Sequence, residues 1–136
     1  MSDTGSAAVL QGGCLCGAVR FVARGAPVNV RVCHCRLCQK ATGQPFFARA
    51  LYAEDAVTVT GETVRYPSSE ALWRVSCPVC GARLFAHRPG AGRISAGLGT
   101  FDDPNALRPD CHMFVAQKLG WLKLDDGLPQ FEGLAP

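Results

Sequence analysis

The chain has little of what a membrane protein, a secreted protein or a nucleic-acid-binding tail needs. Its apolar runs fall far short of the ~20 residues that cross a bilayer, although 48% of its 136 residues are hydrophobic. The opening MSDTGSAAVLQGG carries neither a basic start nor a sustained apolar stretch, so no export signal is expected and the reading is cytoplasmic. There is no block of like charge: 14 lysines and arginines are scattered among 11 acids, and no strand is studded with aromatics in the manner of RNA-binding sheets. No nucleic-acid partner is therefore expected. No internal repeat, low-complexity tract or long linker divides the chain. One domain follows, over residues 12–136, behind a loose leader at 1–11.

Cysteine, by contrast, is abundant, with eight residues. In a reducing compartment disulfides are disfavoured, and cysteines at short fixed spacings point to metal. Ionising seven of them around two divalent ions would cancel the formal charge of +3, so the basic balance says little about partners.

Short alternating segments dominate. In CLCGAVRFVARG, Val19, Phe21 and Ala23 share one face while Arg20 and Arg24 share the other, the period of a strand. VNVRVC (28–33), FFARALY, AVTVTGE with its Gly61 turn, TVRYP, ALWRVSC, ARLFAHR, RISAGLG and CHMFVAQ read the same way. RLCQKAT predicts one short helix, stopped by Gly43 in the position a C-terminal cap favours. The class is mainly β, with short antiparallel strands and one short helix after the CxCxxC motif.

The cysteines fall in three clusters: Cys14-x-Cys16, Cys33-x-Cys35-x-x-Cys38 and Cys77-Pro-Val-Cys80-Gly. The last is a zinc-knuckle spacing, in which two intervening residues let both thiolates converge on one ion. Two ligands leave a tetrahedron half built, and Cys14 with Cys16 is the other cluster that supplies a pair. Cys14, Cys16, Cys77 and Cys80 are thus expected to form a closed four-sulfur site. Cys33, Cys35 and Cys38 remain for a second ion, with its fourth position open to water or substrate. His34, His112 or Cys111 could instead close that site. His34, between two ligands, is expected to point away from their ion. Cys111 and His112 read equally well as interior residues, and His87 reads as a surface residue.

The pieces GGCLCGAVRF, CHCRLCQKATG, SCPVCGARLF, ISAGLGTFDDP, RPDCHMFVAQKLGW and DDGLPQFEG together resemble the glutathione-dependent formaldehyde-activating enzyme family, which includes centromere protein V relatives. The resemblance spans most of residues 12–133. It implies a zinc-rich β-tent fold with two zinc ions per chain, one held by Cys14, Cys16, Cys77 and Cys80. The other, linked to activity, would be held by Cys33, Cys35 and Cys38. It also implies a carbon–sulfur lyase activity, the addition of glutathione to formaldehyde to give S-hydroxymethylglutathione, with a small thiol and a small aldehyde as partners. Three cations near the triplet in sequence, Arg36, Lys40 and Arg49, are the expected binders of the glutathione carboxylates. A homo-oligomer is left open. Cys111 departs from the small residue usual in the family before the late histidine. The rival readings are a lyase acting on another thiol adduct and a non-catalytic zinc module that binds protein or nucleic acid. Methionine sulfoxide reduction fits less well, because it would need a second independent CxxC pair and Cys111 as nucleophile.

Overall fold

A computed structural model describes residues 8–136. The described residues are mainly β, built as two sheets and one α-helix. The smaller sheet is antiparallel in the order β1 (Val9–Gly13), β2 (Arg20–Arg24), β5 (Val57–Thr60). The larger has seven strands in the order β10 (Cys111–Met113), β3 (Asn29–Cys33), β4 (Phe47–Ala53), β9 (Arg93–Gly97), β8 (Arg83–Arg88), β7 (Trp73–Ser76) and β6 (Val64–Pro67). The helix, α1 (Arg36–Thr42), lies between β3 and β4 and ends at Gly43, whose φ of 69° is left-handed as expected.

Three expectations are corrected. Residues 1–7 of the expected leader lie outside the described residues, but 9–11 belong to β1. The Gly12-Gly13 pair closes β1, and a Cβ on Gly12 would come within 2.4 Å of the Phe21 ring and of the Thr100 carbonyl oxygen. The glycine marks close packing rather than a break. Second, the sheet is not wholly antiparallel, since β10 pairs with β3 in parallel, Met113 beside Cys33. A three-residue strand carries too little pattern to announce its direction. Third, α1 starts inside the CxCxxC motif rather than after it: Cys35 is its N-cap and Cys38 lies in its first turn.

Strand periodicity decides where everything else goes. Residues opposite one another across β4, β9, β8 and β7 form rows. The rows Ala50–Ala96–Phe85–Val75 and Tyr52–Ile94–His87–Trp73 point one way, and most of their members are buried. They meet Val19, Phe21 and Ala23 of the smaller sheet in the main core. Phe21 stands edge-on to Phe85 and Phe101, at 5.2 and 5.3 Å between centroids, a geometry that adds to the area it removes from water. The alternate rows, such as Leu51–Ser95–Ala86–Arg74, point the other way and floor a cleft.

Gly61 closes the turn after β5 at φ 100°, and a Cβ there would lie 2.1 Å from the Ala18 carbonyl oxygen. Gly61→Ala is therefore expected to destabilise the protein by about 1–3 kcal/mol, from both strain and clash. Gly90→Ala, which meets nothing within 4 Å, should stay within ~0.5 kcal/mol of the parent. Urea denaturation of the two variants checks this.

Candidate metal centres and active site

The four-sulfur cluster joins the two sheets. Cys14 and Cys16 sit in the turn from β1 to β2, and Cys77 and Cys80 in the turn from β7 to β8. Their four sulfurs all lie within 4.8 Å of one another, with Cys14 to Cys16 at 3.7 Å and Cys16 to Cys77 at 3.9 Å. Backbone N–H groups point at them: Val19 donates to Cys14 at 3.3 Å, and Val79 and Cys80 donate to Cys77 at 3.3 and 3.4 Å. Such bonds favour thiolates. Burial opposes ionisation of Cys14, yet the Val19 N–H and the neighbouring thiols bring it down to about 6. Gly81, at φ 75°, makes the tight return that CPxCG requires.

The three-sulfur cluster lies elsewhere. Cys33 ends β3, Cys35 caps α1 and accepts the Cys38 N–H at 3.3 Å, and Cys38 is buried in the first helical turn. Their sulfurs also lie within 4.8 Å of one another. The Cys33 thiol donating to it, the Cys35 thiol and the Arg74 guanidinium hold Cys38 down to about 5 against the cost of burial. Cys33 is pushed up, chiefly by its hydrogen bond to Cys38 and by burial. The two donor sets, four thiols and three thiols, suit soft or borderline ions such as zinc.

None of the three residues that could have closed the second site joins it. The register sets Cys111 beside Arg31 and Met113 beside Cys33, so Cys111 stands two residues, about 7 Å, along the strand from Cys33. Burial, followed by Asp110, pushes its thiol up. His112 uses both ring nitrogens, Nδ1 at 2.9 Å from His34 Nε2 and Nε2 at 2.7 Å from Asp126 Oδ2. With His112 Nε2–H donating to the carboxylate, its Nδ1 accepts from His34 Nε2–H. His34 is fully buried and turned to this chain, and its Nδ1 is left without a partner. Burial first, then His112, brings His34 down to about 4, so it is neutral. Asp126 had no signal in the sequence beyond the run DDGLPQ. His87, expected at the surface, is half-buried and pairs with Glu54.

A cleft of about 760 Å³ opens beside the three-sulfur cluster, over the cleft-facing rows of the large sheet. Arg36 and Arg49 line it, as do Cys33, Cys35 and Cys38. Lys40 is exposed and is not among the lining residues. Three more arginines face the cleft that sequence reasoning missed: Arg74, Arg88 and Arg93. Arg74 is 6% exposed; its Nε–H donates to Ser68 Oγ at 3.3 Å, and its terminal nitrogens stand 3.9 and 4.0 Å from Cys38 Sγ. No acidic side chain among the described residues lines the cleft.

A four-sulfur and a three-sulfur cluster on a two-sheet frame, the second beside a cationic cleft, define a class: a cysteine-rich β domain whose clusters could each hold a metal ion. The sequence profile of the glutathione-dependent formaldehyde-activating enzymes matches residues 9–117, and the chain belongs to that family. Among solved structures it is similar to a crystal structure of a protein from Rhodobacter sphaeroides, with 17% identity over 89% of this chain and 98% of that one, and a TM-score of 0.59. That likeness is one of fold. No curated protein matches the chain. No helix among the described residues is long and apolar enough to cross a membrane.

His112→Leu would strip His34 Nε2–H of its acceptor in the interior, at a cost of about 1–3 kcal/mol. Because neither histidine stands among the clustered donors, the bound metal per chain should not change. Denaturation midpoints and elemental analysis of the same variant test both halves.

Proposed function

We propose that the protein is a zinc-dependent carbon–sulfur lyase of the cytoplasm that adds glutathione, or a thiol like it, to formaldehyde or a related small aldehyde. The observation that carries the reading is the incomplete three-sulfur cluster at the wall of a substrate-sized, cationic cleft. Family membership supports formaldehyde activation as the chemistry. Cys14, Cys16, Cys77 and Cys80 would hold a structural zinc, and Cys33, Cys35 and Cys38 a second zinc with one position free. With three thiolates around it, a zinc ion would supply deprotonation of an incoming thiol rather than strong polarisation of a carbonyl.

The chain's own residues do the rest. Arg74 offsets the charge of a Cys38 thiolate, which lets three thiols ionise side by side. Arg36 and Arg49 offer donors to the substrate carboxylates, Arg49 from a guanidinium already oriented by Asn29. Phe47, Met113 and Phe114 give the cleft apolar walls around the reacting atoms. The substrate sulfur forms a bond to the carbonyl carbon, the π pair moves to oxygen, and that oxygen takes a proton from solvent to become the hydroxymethyl group. In the reverse direction the C–S bond breaks and formaldehyde leaves.

Exchange between labelled formaldehyde and its glutathione adduct, followed by NMR against the uncatalysed rate, tests the reading. Acceleration should scale with protein and return to baseline in Cys35→Ser, which should also lose one of two zinc ions and stay folded. Cys77→Ser should instead lose stability, because structural zinc sites contribute folding energy. No acceleration by fully metallated protein would overturn the assignment. Loss of both metals in Cys35→Ser would overturn the two-site division.

A further inference from the structure

The arginines of the cleft are not equivalent. Two cross-strand pairs of like charge occur in the large sheet: Arg31 opposite Arg49, and Arg88 opposite Arg93. Like charges directly opposite one another destabilise a sheet. The first pair is answered from within the protein. Arg31 donates to the carbonyl oxygens of Ala135 and Pro136 at 3.4 and 2.6 Å, and Arg49 donates to Asn29 Oδ1. The second pair is not: among the described residues neither Arg88 nor Arg93 makes a side-chain hydrogen bond or an ion pair. Either alone would be an ordinary solvated charge. Set opposite each other at the mouth of a hairpin, both facing one cleft that no acidic side chain among the described residues lines, they concentrate positive potential that no described residue answers.

The register also fixes their distance from the reacting end. Arg74, which touches Cys38, stands in the row Leu51–Ser95–Ala86–Arg74. Arg88 and Arg93 occupy the next row on the same face, about 7 Å farther along the strands. Cys33 itself lies opposite Phe47, six residues along β4 from Ala53, which pairs with Arg93, a span of about 20 Å. A thiol with its sulfur at the triplet therefore reaches these guanidinium groups only with a long, extended tail. Glutathione would bring two carboxylates but also an ammonium group, for which the lining side chains offer no carboxylate. Gln117, a neutral candidate, already accepts the Arg36 N–H at 2.8 Å.

We propose that Arg88 and Arg93 form an anion subsite at the far end of the cleft, and that the thiol this protein serves carries there an oxyanion group, phosphate or carboxylate, with more negative charge than glutathione has. The inference rests on the thiol-addition reading and names its substrate class. Two planar guanidinium forks converging on one group give the bidentate geometry that phosphate and carboxylate accept.

The test needs no formaldehyde, so it fails or succeeds apart from the exchange assay. Metallated protein is titrated calorimetrically with two matched pairs of thiols: phosphopantetheine against pantetheine, which isolates a phosphate, and N-acetylglutathione against glutathione, which removes the ammonium charge. In at least one pair the more anionic member should bind ~10-fold or more tightly; a response in the first pair identifies phosphate, and one in the second alone a carboxylate thiol without an ammonium group. That advantage should fall below ~3-fold when Arg88→Ala and Arg93→Ala are combined, and persist in Arg108→Ala, which removes an exposed charge away from the cleft. No advantage in either pair, or one that survives the double substitution, overturns the proposal.

Discussion

Successive residues of a strand point to opposite faces, and in this small domain that alternation makes one sheet serve as both core wall and cleft floor. Ala50, Tyr52, Phe85, Ile94 and Ala96 seal the interior against the smaller sheet. Their immediate neighbours Arg49, Leu51, Ala86, Arg93 and Ser95 face the cleft. A shift of one residue in any of these pairings would send arginines into the core and aromatics into the cleft. The four-sulfur cluster stands at the seam between the two sheets, where it ties the turn before β2 to the turn after β7. The cleft is therefore only as well defined as that seam and the register it protects.

Charge is the second constraint. Three thiols held close together resist ionising together, and the cleft meets this with cations rather than with donors alone. Arg74 sits against Cys38, and Arg49 stays in the partly buried floor although burial first, and Arg31 second, bring its pKa down. A guanidinium keeps its proton at any accessible pH even when so disfavoured, which a lysine in the same place would not do as dependably. The floor's arginines thus stay positive whatever the state of the sulfurs.

Local chemistry was legible in the sequence and long-range convergence was not. The three cysteine clusters, the helix stopped by Gly43 and most strands were legible because spacing and alternation act over a few residues. Pairing Cys14 and Cys16 with Cys77 and Cys80 required only counting ligands. Arg74, Arg88 and Arg93 escaped because they meet the cysteine triplet only through the register of a seven-stranded sheet. Proximity in sequence favoured Lys40, which the helix instead directs outward. One of the misses had a signal: Arg88 and Arg93 flank the Pro89-Gly90 turn, and a hairpin closed there must oppose them. The parallel strand β10, and with it the contact between His34 and His112, had none.

The openness of the three-sulfur cluster is better supported by what surrounds it than by what it lacks. An unfinished ligand set could be completed by any nearby donor, and three stand close in sequence or strand order. Each is committed elsewhere. Cys111 is held a row away by its pairing with β3, His112 spends both nitrogens on His34 and Asp126, and His34 is turned into that buried chain. Gln39, beside the triplet, is spent on the carbonyl oxygens of His34 and Gln117. A module that needed metal only for folding would gain from letting one of these close the site, since a fourth ligand adds binding energy. Here the protein holds all of them off while arginines line the cleft beside the gap, an arrangement that supports the proposal of a fourth position left for substrate.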